Sequence, residues 1–273
     1  MIHENITIQV EGSMPYAKLV TYIQEDSKEI GIEKRKLILL CPGGGYEFTS
    51  DREAEAMALA FLAMGYHAAV LRYSVSPAKY PTALLEVAAA VKIIREHAKE
   101  WHVDENGIIV EGCSAGGHLA ASYGIYWKQA FVAEAMGLSA KEAEQILKPN
   151  GLILSYPVIT SGEYAHRGSF VHLLGDRQEE LGEAMSLELQ VNQDVPPVFI
   201  WHTFEDTVVP VENSLMFVAA LRKAKISTEF HMYPKGAHGL ALADELTATP
   251  TGGGIERRCT SWISLVKTWI ENL

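Results

Sequence analysis

Apolar side chains recur along this chain in two spacings, one typical of strands and one typical of helices. Residues 6–10 alternate apolar and polar positions, which predicts a strand, and a Gly-Ser-Met-Pro turn separates it from a second predicted strand at residues 17–23. This pair is expected to be antiparallel and to lie at one edge of a sheet. Residues 36–40 form a continuous apolar run, as in a strand that is covered on both faces.

Beyond residue 40, predicted helices and strands take turns. Helices are expected at residues 52–64, 82–97, 214–225 and 259–271, and strands at residues 68–71, 107–111, 151–156, 198–202 and 227–232. Alternation of this kind predicts an α/β fold, with a mostly parallel central sheet and helices on both faces. We expect residues 1–273 to form a single domain, because α/β folds of this length commonly do.

Two segments interrupt the alternation. Residues 126–147 add helical material just after the helix that begins near residue 115, and residues 160–197 are long and irregular, with Pro196-Pro197 at their end. Excursions at the C-terminal edge of a parallel sheet usually shape a pocket. Both segments are therefore expected to shape one here.

Charge and hydropathy exclude two classes of partner. The chain has 34 acidic and 23 basic residues, a net charge of −11, and no basic cluster, so we do not expect it to bind nucleic acid. No apolar run approaches the ~20 residues that cross a bilayer, and the N-terminus lacks the pattern of a signal peptide. We therefore expect no membrane association and a cytoplasmic location.

Cysteine and histidine spacings indicate neither disulfides nor metal. The three cysteines, Cys41, Cys113 and Cys259, form no framework and no C-x-x-C motif, and small buried thiols are expected at Cys41 and Cys113. Pairs such as His166 and His172 lack the spacing of metal ligands. No metal or organic cofactor is expected. The oligomeric state stays open, a homo-oligomer included.

A G-x-S-x-G motif carries the strongest chemical signal. Gly112-Cys113-Ser114-Ala115-Gly116 lies between a predicted strand and a predicted helix, which is the context of a nucleophile elbow. In such a turn the two backbones nearly touch, so a Cβ at position 112 or 116 would collide. The turn exposes the serine hydroxyl and directs free N–H groups of the helix toward a bound group. Ser114 is therefore the candidate nucleophile.

A serine hydroxyl needs a base, and the base needs an acid that orients it. In folds with this elbow, the chain order is nucleophile, acid, histidine. Among ten histidines, His238 is the candidate base because it follows the last predicted strand, in a loop of small residues. His202 and His231 lie within predicted strands, and His118 lies on a helix face that should be buried. Packed or hydrogen-bonded core positions are expected for His202 and His231, and a buried position for His118.

The orienting acid should follow the strand at residues 198–202. Glu205 and Asp206 both lie there and both qualify chemically. Asp206 is preferred because its shorter side chain holds an imidazole more stiffly, and the family pattern described below has the same preference. Glu205 is then expected to be a solvated neighbour.

Stabilising a tetrahedral oxyanion takes at least two rigid N–H donors. One is expected to be the amide of Ala115, the residue after the nucleophile. The others are expected from Gly44 and Gly45, because glycine permits close backbone approach and a positive φ. No Gly-Lys-Ser/Thr follows these glycines and no G-x-G-x-x-G is present, so phosphate binding is not indicated.

Together these motifs resemble the α/β-hydrolase superfamily, and more narrowly the small esterases grouped with acetyl xylan esterases and hormone-sensitive-lipase-like carboxylesterases. The resemblance extends from about residue 36 to the C-terminus. Its segments are Pro42-Gly43-Gly44-Gly45-Tyr46, Gly112-Cys113-Ser114-Ala115-Gly116-Gly117-His118-Leu119-Ala120, Leu154-Ser155-Tyr156-Pro157-Val158, Pro197-Val198-Phe199-Ile200-Trp201-His202, Asp206 with Val209-Pro210 and Glu212-Asn213-Ser214, and Gly236-Ala237-His238-Gly239. The lipase-like branch has His-Gly-Gly-Gly where this chain has Cys41-Pro42 before its glycines, which favours the sugar-ester group.

The resemblance implies a serine carboxylesterase for short acyl esters, notably acetyl esters on sugars or xylo-oligosaccharides. It implies an acyl-enzyme intermediate, no cofactor, and a small-molecule ester as the substrate. Tyr46, Tyr73, Tyr156 and Trp201 are candidate pocket residues that would stack on a pyranose, although such aromatics more often pack in a core.

Two alternative functions stay open. One is an amide-cleaving relative, such as an arylformamidase or a peptidase. The other is a non-catalytic ligand receptor on the same fold. His238 counts against the receptor, because known receptors of one such kind have lost the catalytic histidine.

Overall fold

An eight-stranded sheet runs through the computed structural model, which describes residues 1–273. Its strands lie in the spatial order β1-β2-β4-β3-β5-β6-β7-β8. The strands are β1 Asn5–Thr7, β2 Lys18–Tyr22, β3 Arg35–Cys41, β4 His67–Arg72, β5 Val103–Cys113, β6 Gly151–Ser155, β7 Val198–Thr203 and β8 Thr228–Tyr233. β1 pairs with β2 and β2 with β4 in antiparallel fashion, and all other pairs are parallel. The predicted α/β fold and its antiparallel edge are confirmed.

Helices cover both faces of the sheet. They are α1 Glu55–Ala63, α2 Thr82–Glu96, α3 Ala115–Tyr126, α4 Ala130–Ala135, α5 Ala140–Ile146, α6 Arg167–Leu174, α7 Gln178–Leu181, α8 Glu212–Lys223 and α9 Trp262–Glu271. Apolar residues of α1 and α9 form one core layer, and those of α2, α3 and α8 form the other. None of the nine is both long and apolar enough to span a bilayer.

The continuous apolar run of strand β3 is explained by its burial on both faces of the sheet. Leu37 and Leu39 belong to the core on one face of the sheet, and Ile38 and Leu40 belong to the core on the other. All four are fully buried, because helices cover both faces. β3 lies next to β5 in the interior of the sheet. Because the two strands are parallel, their carboxyl ends lie side by side.

The element boundaries differ most from the predicted ones at β5, which begins at Val103 instead of residue 107, and at the sheet edge. Strand β1 ends at Thr7, whereas the sequence pattern continues to residue 10. The amide of Val10 donates to the Ser13 hydroxyl at 3.0 Å instead of to a strand, so the chain turns early. The two interruptions of the alternation contain α4 and α5 in the first, and α6 and α7 in the second.

Candidate active site

Ser114 joins β5 to α3 in a backbone conformation that L-residues rarely adopt, with φ 53° and ψ −117°. Glycines on both sides permit this turn. A Cβ on Gly112 would overlap the carbonyl oxygen of Gly116, and a Cβ on Gly116 would overlap the carbonyl oxygen of Cys41. The expected collision at both positions is confirmed. The turn holds Ser114 at the carboxyl end of β5, where the residue keeps 9% of its surface exposed.

The neighbouring strand β6 holds the backbone of Ser114. The Ser114 amide donates to the Ser155 carbonyl at 2.9 Å, and the Val158 amide donates to the Ser114 carbonyl at 3.0 Å. Both main-chain groups of the strained residue are thus paired with one adjacent segment. This pairing stabilises an unfavourable φ that an isolated turn would not retain.

Ser114, His238 and Asp206 form a continuous hydrogen-bonded chain. The Ser114 Oγ lies 2.7 Å from His238 Nε2, and His238 Nδ1 lies 2.6 Å from Asp206 Oδ2. Because a carboxylate only accepts, His238 carries its proton on Nδ1, and its Nε2 accepts the serine hydroxyl. The structure thus brings these three sequence-predicted residues within direct hydrogen-bonding distance of one another.

Asp206 is buried and accepts hydrogen bonds on both oxygens. Its Oδ1 accepts the amides of Val208 and Val209, each at 2.9 Å, and its Oδ2 accepts His202 Nε2 at 3.2 Å as well as His238. Burial alone would raise the pKa of Asp206, but the hydrogen bonds from His202, His238 and Val209 and the charge interaction with His238 hold it well below its usual range. The carboxyl therefore stays ionised beside the imidazole.

The other acid of this loop has different surroundings. Glu205 is exposed, as expected for a solvated neighbour, whereas Asp206 is 5% exposed. His202 is a core residue, also as expected. Its Nδ1 accepts the Ser214 hydroxyl at 2.8 Å, while its Nε2 donates toward Asp206 and the Val209 carbonyl.

His118 is also in the core. It is fully buried, its Nδ1 accepts the Tyr46 hydroxyl at 2.9 Å, and its Nε2 donates to the Met185 carbonyl at 3.0 Å. Burial lowers the pKa of His118 to about 4, so the ring is neutral near pH 7. His231 on β8 is hydrogen-bonded to Glu229 at 2.7 Å, as expected, but it is only half-buried and is therefore not a core residue.

The glycine loop, residues 42–50, passes beside Ser114 with its amides oriented by internal hydrogen bonds. The Gly43 carbonyl accepts the Ser50 amide at 2.9 Å, and the Gly44 carbonyl accepts the Glu47 amide at 3.0 Å. Since a peptide is planar, these bonds also set the directions of the Gly44 and Gly45 N–H groups. Neither N–H is paired with an acceptor of the chain. Positive φ values of 128° at Gly44 and 65° at Gly45 explain the glycines.

A third amide, that of Ala115, is the first of helix α3. The first N–H groups of a helix have no partner within it, so this donor is free for another acceptor. A Cβ on Gly43 would lie 3.0 Å from the Ser114 Cβ, which shows how closely the glycine loop packs against the elbow. The three sequence-predicted donor residues thus flank the same serine.

The four aromatic residues expected to line a pocket lie in the core. Their exposed fractions are 2% or less for Tyr46, Tyr73, Tyr156 and Trp201. The Tyr73 hydroxyl donates to the Pro42 carbonyl at 2.6 Å, and the Trp201 indole donates to Ser155 at 2.9 Å. None of the four lines the cavity at Ser114, so the structure does not support the candidate pocket role and agrees with the core packing that the sequence also allowed.

The cavity at Ser114 has a volume of about 530 Å³, and most of the residues that line it are polar residues or glycines. Phe48 and Val208 are its two exposed apolar side chains, with 58% and 48% of their surfaces exposed. The remaining walls come from the glycine loop, the segment after it, the elbow, α6 with the residue before it, and the loop that carries His238. These lining residues are Gly44, Gly45, Glu47, Ser50, Arg52, Glu53, Ser114, His166, Gly168, His172, His238 and Gly239.

Two of these residues, His166 and His172, are not among the site residues that the sequence predicts. His172 Nδ1 donates to the Gly45 carbonyl at 3.0 Å, and His166 Nδ1 lies 2.9 Å from the Ser169 hydroxyl. Burial lowers the pKa of His166, and the imidazoles of His238 and His172 lower it further. Their place in an excursion expected to shape the pocket was the only available signal.

A buried acid lies beneath the elbow. Glu111 on β5 is fully buried, and its Oε1 accepts the Ser155 hydroxyl at 3.0 Å and the Cys113 thiol at 3.3 Å, while its Oε2 has no partner. Burial raises the pKa of Glu111 to about 8. Nothing in the sequence pattern distinguishes this glutamate from an exposed one.

Comparison with known proteins is consistent with this geometry. A family model described as BD-FAE matches residues 22–221. An endo-1,4-β-xylanase B of Butyrivibrio fibrisolvens is 38% identical over 227 residues, which are 81% of this chain and 35% of that protein. An acetylxylan esterase of Xylanibacter ruminicola is 27% identical over 214 residues, which are 76% of this chain and 41% of that protein. The chain thus spans less than half the length of these two relatives.

A solved structure shares the fold over nearly the whole chain. It is an acetyl ester-xyloside bifunctional hydrolase from Caldicellulosiruptor lactoaceticus, with a TM-score of 0.79 and 35% identity, and the superposition covers 94% of this chain and 88% of that one. The family model accounts for more than half of the present sequence and contains the elbow. The chain belongs to the BD-FAE family of α/β hydrolases.

Proposed function

We propose that this chain is a serine carboxylesterase that hydrolyses short acyl esters through an acyl-enzyme intermediate. The observation that carries the proposal is the pair of short contacts that joins Ser114 Oγ to His238 Nε2 at 2.7 Å and His238 Nδ1 to Asp206 Oδ2 at 2.6 Å. A serine hydroxyl so paired has both a proton acceptor and an orienting acid behind it.

In the proposed reaction, Ser114 Oγ bonds to the ester carbonyl carbon while its proton passes to His238 Nε2. The carbonyl π electrons move to its oxygen, and the resulting imidazolium is stabilised by the ionised Asp206. The C–O bond to the alcohol then breaks, and His238 returns the proton to the departing oxygen. Water repeats the sequence on the acyl-enzyme, which releases the carboxylic acid and regenerates the serine.

The developing oxyanion would be held by the amides of Gly44, Gly45 and Ala115. Preorganised donors of this kind stabilise the transition state without reorganising, and loss of one commonly costs ~10²–10³ in rate. The internal hydrogen bonds of the glycine loop support this role because they orient the Gly44 and Gly45 amides before substrate arrives. No metal or organic cofactor takes part in the proposal.

For the substrate, we propose acetyl or similarly short esters of a sugar or xylo-oligosaccharide. The cavity walls support a hydroxyl-rich alcohol, because Glu47, Arg52, His166 and His172 offer both donors and acceptors. The names of the acetylxylan esterase and acetyl ester-xyloside hydrolase relatives agree with it. The relatives reported above favour neither an amide-cleaving enzyme nor a receptor. The cytoplasmic location and a homo-oligomeric state stay predictions.

Hydrolysis of p-nitrophenyl acetate tests the mechanism. We expect Ser114→Ala and His238→Ala each to lower kcat by roughly 10⁴–10⁶, as for other serine hydrolases. His231→Ala is the matched control, because that imidazole lies on β8 and pairs only with Glu229. Turnover that survived both of the first two substitutions would refute the proposed mechanism.

A panel of acetylated xylo-oligosaccharides and p-nitrophenyl esters of increasing acyl length tests the substrate class. We expect kcat/KM to fall sharply beyond short acyl groups and to be highest on the acetylated sugars. A preference for long acyl chains would indicate a lipase, and faster cleavage of formyl amides than of acetyl esters would indicate the amide-cleaving alternative.

A further inference from the structure

Glu53 is a buried carboxylate at the wall of the cavity that the proposed reaction does not use. It lies in the 3₁₀ turn Asp51–Glu53, directly after the glycine loop, and only 4% of its surface is exposed. Its two oxygens bind donors from different segments. Oε2 accepts the Gly43 amide at 2.8 Å, and Oε1 accepts the Tyr156 hydroxyl at 2.8 Å.

The first of these bonds fixes the start of the glycine loop. Gly43 is packed so tightly that an added Cβ would lie 2.7 Å from Glu53 Oε2, 2.8 Å from the Cys113 carbonyl and 3.0 Å from the Ser114 Cβ. The carboxylate, the loop and the elbow therefore have no free space between them. We therefore expect a change in the Glu53 side chain to shift Gly43 and the amides that follow it.

The second bond leads to the histidine loop, residues 234–258. The Tyr156 hydroxyl donates to Glu53 and accepts the Ala241 amide at 2.9 Å, three residues after His238. The Tyr156 ring also meets the His238 ring edge-on, with the ring centres 5.2 Å apart and the planes at 75°. One tyrosine thus contacts both the backbone of this loop and its imidazole.

We propose that Glu53 and Tyr156 are positioning residues, forming a link that sets the glycine-loop amides and the His238 imidazole relative to each other around Ser114. The link rests on the proposed function, since it acts through the oxyanion donors and the base. The position of Glu53 requires a side chain that only accepts hydrogen bonds, because the Gly43 amide and the Tyr156 hydroxyl both donate to it. A glutamine in its place would offer one acceptor and one donor, and would keep only one of the two bonds.

The test is a comparison of two Tyr–Glu pairs. Glu53→Gln and Tyr156→Phe break the link. Tyr22→Phe and Glu55→Gln break a bond of the same chemistry, in which Tyr22 donates to the exposed Glu55 at 3.0 Å, and neither of these two residues lines the cavity. Kinetics on p-nitrophenyl acetate are normalised to active sites titrated with an organophosphate, so that misfolded protein does not count. Melting temperatures are measured for all four variants.

We expect Glu53→Gln and Tyr156→Phe each to lower kcat per titrated site by roughly 10- to 100-fold, with KM within twofold of the original. The double variant should be no slower than the slower single variant, because both substitutions break one link. The Tyr22 and Glu55 variants should keep kcat even where their melting temperatures fall as far.

Unchanged kcat in the folded Glu53→Gln and Tyr156→Phe variants would overturn the link and leave the proposed function intact. A fall in kcat of the double variant equal to the product of the two single falls would also overturn the link, because the two residues would then act separately. Full activity in Ser114→Ala, measured alongside, would refute the proposed function itself and the link with it.

Discussion

The nucleophile and the base of this site are held in place in two different ways. Ser114 occupies a five-residue turn in which backbone atoms of Gly112, Gly116 and Cys41 touch one another. His238 lies in the long histidine loop, whose regular structure is limited to a single 3₁₀ turn at Glu245–Thr247. The first position follows from close backbone packing between the turn and the neighbouring strands β3 and β6, and the second depends on single side-chain hydrogen bonds.

Side chains from several other segments hold the histidine loop. Arg52 donates to the carbonyls of Gly239 and Thr247, at 2.8 and 2.6 Å. Tyr156 accepts the Ala241 amide, and the Trp262 indole donates to the Ala241 carbonyl at 3.0 Å. Each contact is a single hydrogen bond that substitution can remove without a steric clash.

This difference predicts different failures. A larger residue in the elbow must displace backbone atoms. It should therefore lower the stability of the fold, whatever its effect on kcat. Loss of one hydrogen bond to the histidine loop leaves the sheet intact and should cost rate through a less well-held imidazole. Substitutions in the two regions can therefore be ranked and compared.

Gly116→Ala should have the largest effect. The added Cβ would overlap the Cys41 carbonyl oxygen and lie 2.6 Å from the Pro42 carbonyl oxygen, and neither backbone atom can move without shifting β3. We expect a loss of at least about 4 kcal/mol in the free energy of unfolding, or no folded protein. Gly31→Ala, with no atom near its added Cβ, is the control in the same urea denaturation. An unchanged midpoint for Gly116→Ala would disprove the steric account of the elbow.

Asp206→Asn should come next, with kcat lowered by about 10⁴. An asparagine amide would face His238 Nδ1 with a weaker acceptor or a donor, which favours the wrong tautomer of the imidazole. Glu205→Gln is the matched control, because it removes an exposed acid one position away. If Glu205→Gln lost activity and Asp206→Asn kept it, the assignment of the orienting acid would be reversed.

Glu111→Gln should change how stability depends on pH. The pKa of Glu111 is raised from 4.5 to about 8 by burial, so its carboxyl is neutral in the fold and ionises on unfolding. Its contribution is fully present below pH 4.5 and is lost as pH rises through 8, with a slope of up to about 1.4 kcal/mol per pH unit. The free energy of unfolding of Glu111→Gln, measured by urea between pH 5 and 9, should lack this decline. Parallel curves for the variant, the original chain and Glu205→Gln would contradict the burial effect.

Arg52→Met should have the smallest of these effects, with kcat lowered by roughly tenfold and the fold retained. It removes both hydrogen bonds from Arg52 to the histidine loop and keeps much of the side-chain volume. Arg257→Met is the control, since Arg257 binds Glu245 of the same loop at an exposed surface. Equal kcat values for the two variants, per titrated active site, would show that the buried arginine does not hold His238.

Much of the site could be predicted because its signals are local. The glycines on either side of Ser114 are needed because a Cβ there would overlap backbone atoms. Gly44 and Gly45 are needed because both have a positive φ. The preference for Asp206 over Glu205 needed a judgement of side-chain length and a family pattern. The core positions of the aromatic residues could not be predicted. Tyr156 and Trp201 lie at or near strand ends, where the sequence does not tell which way a ring points.

The sequence alone determines the order of helices and strands, the elbow, and the chain order of nucleophile, acid and histidine. These features depend on side-chain periodicity and on residues close together in the chain. Tertiary structure alone decides that Glu53 faces both Gly43 and Tyr156, that Glu111 is buried without a partner for Oε2, and that His166 lies in the cavity. Those positions depend on segments about 10 to 120 residues apart in the chain, because long-range packing determines burial and hydrogen-bond partners.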